Sequence, residues 1–199
     1  QGMGAFTGAL AAVIMMNLGI GNATTQFYAA IFFAVLGGAL YSSLHALLCI
    51  RMKANQVISG VVLNILAMSL TAYLCKALNK GLFHAASDKF VLSVSDKFTV
   101  PGLSAIPVLG AFFKDIYPFE VLIILAAIVC WYILYQTRYG MNLRACGDNP
   151  HALDAAGESV SRTRTIAVMF SGALSGLAGI CFAYSISGNF SSAIFVGYG

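Results

Sequence analysis

Residues Gln26–Ile50 read QFYAAIFFAVLGGALYSSLHALLCI, a run of 25 residues without one formally charged side chain. A helix rises ~1.5 Å per residue, so about 20 apolar residues cross the ~30 Å hydrocarbon core of a bilayer. The run is long enough to span. Similar stretches cover Gly2–Leu18, Val57–Leu78, Val121–Thr137 and Ile166–Ile186, and Ser191–Gly199 reads as the approach to another. The expected fold is therefore all-α: one polytopic transmembrane helical bundle over residues 1–199, with five spans and the start of a sixth.

Composition points the same way. The chain is 59% hydrophobic and 9% charged, with a mean hydropathy of +0.84, whereas a soluble domain carries about 25% charged residues. So much apolar surface needs lipid as part of its solvent. The 20 glycines agree, since Gly is more frequent in membrane helices than in soluble ones. The net charge of +4 comes from Lys and Arg placed between apolar runs, with no basic, aromatic-interleaved stripe of the kind that binds nucleic acid. The cysteines Cys49, Cys75, Cys130, Cys146 and Cys181 are scattered without CxxC spacing and read as small hydrophobes. A start at Gln1 and an end at Gly199 without stop-transfer charges set the expectation of a fragment, incomplete at both ends.

Loop charge orients the spans. Arg51 and Lys53 lie in one turn; Arg138, Arg144, Arg162 and Arg164 lie in the 138–164 loop, two spans later and so on the same side. All five arginines of the chain are on this side, and the positive-inside rule makes it cytoplasmic. The opposite side holds the 79–118 connector, with Pro101, Pro107 and Pro118, where a re-entrant or surface helix and a lid over a solute path are both open readings.

The cytoplasmic loop carries the clearest local signal. Asn149 stands before Pro150, and Gly157 follows Ala155-Ala156: an N-cap, a proline at the first helical position and a glycine stop. They predict a two-turn helix over Pro150–Ala156, either a docking element for a soluble partner or an ordinary connector. In the third run, Gln56, Gly60, Asn64, Ala67 and Thr71 recur at helical spacing on one face. Asn64 lies well inside the apolar stretch, where it either bonds a neighbouring helix or lines a solute path. Gly4/Gly8 and Gly172/Gly176, followed by Gly179, predict close helix packing.

Several chemistries are absent from the motifs. His45, His84 and His151 are each followed by Ala, so there is no HExxH; neither GxSxG nor GxxxxGK[ST] occurs. The span cores contain no Asp or Glu for a proton relay. The energy source is expected on another chain.

Three stretches resemble one known family. NQVISG at 55–60 with Leu63-Asn64, YGMNLRACGDNPHA at 139–152 continued by DAAG at 154–157, and SGALSGLAG at 171–179 are similar, in order, to permeases of the branched-chain amino acid and simple sugar class of ABC importers. The opening GAFTGA at 4–9 and closing Gly197-Tyr198-Gly199 fit as well. The similarity is nearest the nucleoside-importing branch, with riboflavin, simple sugar and branched-chain amino acid importers as alternatives.

The resemblance implies a multi-pass permease in the prokaryotic inner membrane. It implies pairing with a second permease or a copy of itself, two ATPase subunits and an extracytoplasmic substrate-binding lipoprotein. ATP and Mg belong to the ATPase; no cofactor, metal or catalysis is expected in this chain. Asn149, Pro150, His151, Asp154, Ala155, Ala156 and Gly157 are implied to couple to the ATPase. The DAAG sequence departs from the longer EAA-type motif of distant sugar and peptide permeases, which favours this branch. A stand-alone secondary transporter is the rival reading, and a membrane enzyme built on His151, Asp154 and Glu158 a third.

Overall fold

The computed structural model describes residues 1–19, 22–82, 89–92 and 118–191. Seven α-helices are described among them: α1 (Gly2–Asn17), α2 (Ala23–Ala46), α3 (Gln56–Leu82), α4 (Pro118–Gln136), α5 (Arg138–Asp148), α6 (Pro150–Ala155) and α7 (Val160–Phe182). Two π-helical turns, Leu47–Arg51 and Ala183–Ser187, and two short strands, β1 (Lys89–Val91) and β2 (Asn189–Ser191), complete the described elements.

The apolar runs became helices because nothing in lipid can satisfy a backbone amide except the helix itself. Three helical segments are long and apolar enough to cross a membrane: Thr24–Arg51, Gln56–Gly81 and Val160–Ser185. The fourth expected span is one arm of a pair, Val121–Gln136 and Arg138–Asp148, bent by 71°. Thr137 makes the bend. It takes an extended backbone, its hydroxyl donates to the Ile133 carbonyl, and its oxygen accepts the Gly140 amide at 3.2 Å. A side chain at Gly140 would run into the Ile133 and Leu134 carbonyls. The first expected span, α1, runs over 16 residues from Gly2. Among the described residues, three helices, or four with the bent pair taken as one, are long and apolar enough to cross a membrane, where five spans were expected.

The bundle centre is where α1, α2 and α7 cross. Glycines let these backbones touch: a Cβ on Gly176 would collide with the Ala34 carbonyl, one on Gly4 with the Gly176 Cα, and one on Gly38 with the Gly172 carbonyl. Without a hydrophobic drive between helices in lipid, such close van der Waals packing is what associates them. Thr7 adds a cross-helix bond, its hydroxyl 3.0 Å from the Phe33 carbonyl.

Helix α3 lays one face on this core, burying Ser59, Leu63, Ala67, Thr71, Cys75 and Asn79 at every fourth residue. Its other faces expose Val57, Ile58, Val61, Val62 and Ile65, as a lipid-facing helix does. Sequence patterning did not anticipate the strands. They pair antiparallel, Phe90 opposite Phe190, and both rings are buried against Phe6 with centroids 6.0 and 5.8 Å from it. Residues 89–92 are the part of the 79–118 connector beyond α3 and before Pro118 that is described; Pro101 and Pro107, with the expected re-entrant helix or lid, and residues 192–199 of the expected sixth run lie outside the described residues.

Candidate functional site

Two cavities meet at His45. The smaller, about 490 Å³, lies among α1, α2, α3 and α7. Its polar lining is Gln1 ahead of α1, Tyr41, Ser42 and His45 from α2, Asn64 from α3, and Ser171 and Ser175 from α7. Met3, Leu63, Val168 and the glycines Gly4, Gly38, Gly60 and Gly172 complete its wall; Gly60 faces open space, while Gly4, Gly38 and Gly172 sit at close helix contacts. The larger cavity, about 1140 Å³, opens toward the arginine-bearing loop and is lined by Lys53, Gln56, His151, Asp154 and Arg164. His45 and Val168 belong to both.

The two spaces differ in electrostatics. Among the described residues, no Asp, Glu, Lys or Arg side chain lines the smaller groove. Hydroxyls, the Gln1 and Asn64 carboxamides and an imidazole are what it offers, groups that recognise an uncharged solute by hydrogen bonding. The larger cavity carries two fixed cations and one carboxylate beside two histidines.

His45 is held at the junction by its neighbours. Its Nδ1 is hydrogen-bonded to the Ser59 hydroxyl at 3.1 Å, and the Cys49 sulfur lies 3.7 Å from the ring. Directly after it, Leu47–Arg51 forms a π-helical turn, a local widening often found at functional positions. One turn before it, the Tyr41 hydroxyl donates to the Leu63 carbonyl at 2.6 Å and ties α2 to α3.

The expected third-run face divides. Gly60 and Asn64 enter the groove, while Gln56 lines the larger cavity. Thr71 is fully buried, and its hydroxyl donates back to the Ala67 and Met68 carbonyls at 2.8 and 3.0 Å. It lines neither space. Sequence reasoning passed over Tyr41, Ser42, His45, Ser171 and Ser175. The signal available was the i, i+4 spacing of Tyr41 with His45 and of Ser171 with Ser175 inside charge-free runs.

The short helix α6 is capped as expected. The Asn149 side-chain oxygen accepts the amides of His151 and Ala152 at 3.1 and 3.2 Å, and Pro150 opens the helix. Gly157 closes it at φ +86°, its amide donating to the Asp154 carbonyl at 2.9 Å. Leu153 is its buried anchor, whereas His151, Ala152, Asp154 and Ala155 are exposed. The preceding helix α5 is braced by the Tyr139 hydroxyl, which donates to the Thr163 carbonyl at 3.3 Å, and by the Arg144 guanidinium over the Tyr135 ring.

A family model described as branched-chain amino acid transport system / permease component matches residues 1–199. The chain belongs to this permease family. It is accordingly a multi-pass cell-membrane protein.

Relatives of the permease include the nucleoside ABC transporter permease protein NupC of Lactococcus lactis, 39% identical over 170 residues, 85% of this chain and 52% of the relative. The guanosine ABC transporter permease protein NupQ of Bacillus subtilis is 36% identical over 83% of this chain and 51% of its own length. A putative glucose ABC transporter permease protein of Haloferax volcanii, TsgC13, is 34% identical over 71% of this chain and 42% of its own. The chain thus spans about half the length of the relatives it matches. No solved structure matches it.

Proposed function

We propose that this permease component carries nucleosides or related sugar-bearing solutes inward by alternating access, powered by ATPase subunits on separate chains. The observation that carries the reading is the charge-free groove of Tyr41, Ser42, His45, Asn64, Ser171 and Ser175, continuous at His45 with a cavity bordered by α6. A ribose offers hydroxyls and a base offers ring nitrogens and exocyclic groups, and the groove holds matching donors and acceptors without a fixed charge. The names of the NupC and NupQ relatives support the same solute class.

In this reading the 138–164 loop is cytoplasmic and α6 is the coupling helix. Asn149, Pro150 and Gly157 set its shape, while His151, Asp154, Ala155 and Ala156 meet a groove on the ATPase. Binding of ATP and Mg to that partner moves α6, and α7 behind it transmits the movement to the groove. The 79–118 connector faces outward, where a substrate-binding lipoprotein delivers the solute. Further spans, to five and beyond, and a second permease subunit complete the path. Gln56, Gly60 and Asn64 border it, and Thr71 acts through the packing of α3.

The test is uptake of labelled guanosine by the full-length permease reconstituted with its ATPase and binding protein. ATP-dependent uptake, competed by other nucleosides and not by glucose, is the expected result. Uptake in vesicles without ATP or a partner ATPase would instead establish a secondary transporter. The 34% identical glucose relative favours one second reading, a simple-sugar importer, and competition by glucose alone would decide for it.

A further inference from the structure

Beside the larger cavity, and sharing Ala46, Ser159 and Ser161 with it, a cavity of about 680 Å³ opens between the ends of α2 and α7. Arg51 and Arg162 both line it, and among the described residues no carboxylate does. The nearby Ser43 and Thr165 hydroxyls donate to the Leu40 and Ser161 carbonyls of their own helices, so the two guanidiniums, with the Ser159 and Ser161 hydroxyls beside them, are the side-chain donors that face an anion. Two arginines so arranged fit a phosphate, whose oxygens accept their forked hydrogen bonds.

Depth identifies the anion's source. Arg51 ends the apolar segment Thr24–Arg51, and Arg162 stands two residues into Val160–Ser185. Both therefore sit where apolar helix gives way to the headgroup layer. Along the same sides, Leu40 and Leu44 on α2, Leu47 in the π-helical turn after it, and Ile166 and Phe170 on α7 are exposed, at helical spacing that continues the arginine positions into the bilayer. We propose that this slot binds an anionic phospholipid, its phosphate between Arg51 and Arg162 and its acyl chains against the exposed aliphatic stripes. Basic pockets between spans recognise headgroups in this way. A protein covering the same face would have to bring carboxylates to headgroup depth, whereas the phospholipid supplies charge and chains together. The site is independent of which solute the permease moves.

The full-length permease carrying Leu47→Trp, with Trp131 and every Trp outside these residues replaced by Phe, supplies the reporter in vesicles. Its fluorescence is expected to be quenched preferentially by brominated phosphatidylglycerol over brominated phosphatidylcholine. At about fivefold per arginine, the preference reaches roughly 25-fold for the pair. Adding Arg51→Gln with Arg162→Gln should abolish the preference, Arg51→Lys with Arg162→Lys should keep most of it, and Arg138→Gln with Arg144→Gln should leave it unchanged. Equal quenching by the two lipids overturns the proposal, as does equal loss in both glutamine pairs. Inorganic phosphate that removes the preference at constant ionic strength would reassign the slot to a free anion. Absence of quenching by either lipid would show that protein covers the face. If the glutamine pair fails to fold, the lysine pair and the unsubstituted reporter still decide.

Discussion

The imidazole Nδ1 of His45 on α2 lies 3.1 Å from the Ser59 hydroxyl on α3, at the point where the two cavities join. This bond joins two helices by a polar pair, and in the proposed transport path a solute leaving the groove for the larger cavity passes it. His45→Ala is expected to lower guanosine uptake by about fivefold, the worth of one net hydrogen bond, and Ser59→Ala by less. His45→Gln, which keeps a donor and an acceptor, should recover part of it. Uptake equal to the parent in His45→Ala, at equal membrane levels, would remove His45 from the path.

Tyr41→Phe removes the 2.6 Å bond to the Leu63 carbonyl and with it a tether between α2 and α3. The expected loss is about 1 kcal/mol, near the upper range for interhelical bonds in membranes. A lowered thermal unfolding midpoint in detergent checks it; an unchanged midpoint would show that packing along Ser59, Leu63 and Ala67 suffices.

Gly176→Leu forces a side chain into the Ala34 carbonyl, and α7 cannot then approach α2. The monodisperse peak in fluorescence-detected size exclusion should vanish. Gly60→Ala, which meets nothing within 4 Å, should keep that peak while adding a methyl group to the groove wall. The contrast separates crossing glycines from lining ones.

Asn149→Ala removes the acceptor for the His151 and Ala152 amides and should destabilise α6 by about 1 kcal/mol. Gly157→Lys places a side chain at φ +86°, a left-handed conformation that costs an L residue roughly 1–2 kcal/mol. Both variants should insert in the membrane normally yet lose solute-stimulated ATP hydrolysis. Asn149→Asp, which can accept the same two amides, should retain it. Stimulated hydrolysis at the parent level in Gly157→Lys would dissociate α6 from coupling.

Membrane residence and the approximate ends of the long helices were legible from one dimension, because continuous hydrophobicity is a property of neighbours in sequence. The α6 helix was legible for the same reason: Asn149, Pro150 and Gly157 act on amides two or three residues away. The Gly4, Gly172 and Gly176 spacing announced close packing, but not that α1, α2 and α7 would be the helices that touch.

The remainder depended on which faces meet. Asn64 and Thr71 share a helical stripe in sequence, yet Asn64 borders the groove and Thr71 is buried and bonded to its own helix. Nothing local separates them. Tyr41, His45, Ser171 and Ser175 gather into one lining because α2 and α7 cross at glycines, and Phe90 reaches Phe190 only after the intervening helices have packed. Hydrophobicity and capping are short-range and written along the chain, so span and helix ends follow from composition. A polar groove is made by side chains from several helices facing one space, and it exists only once those helices have chosen their neighbours.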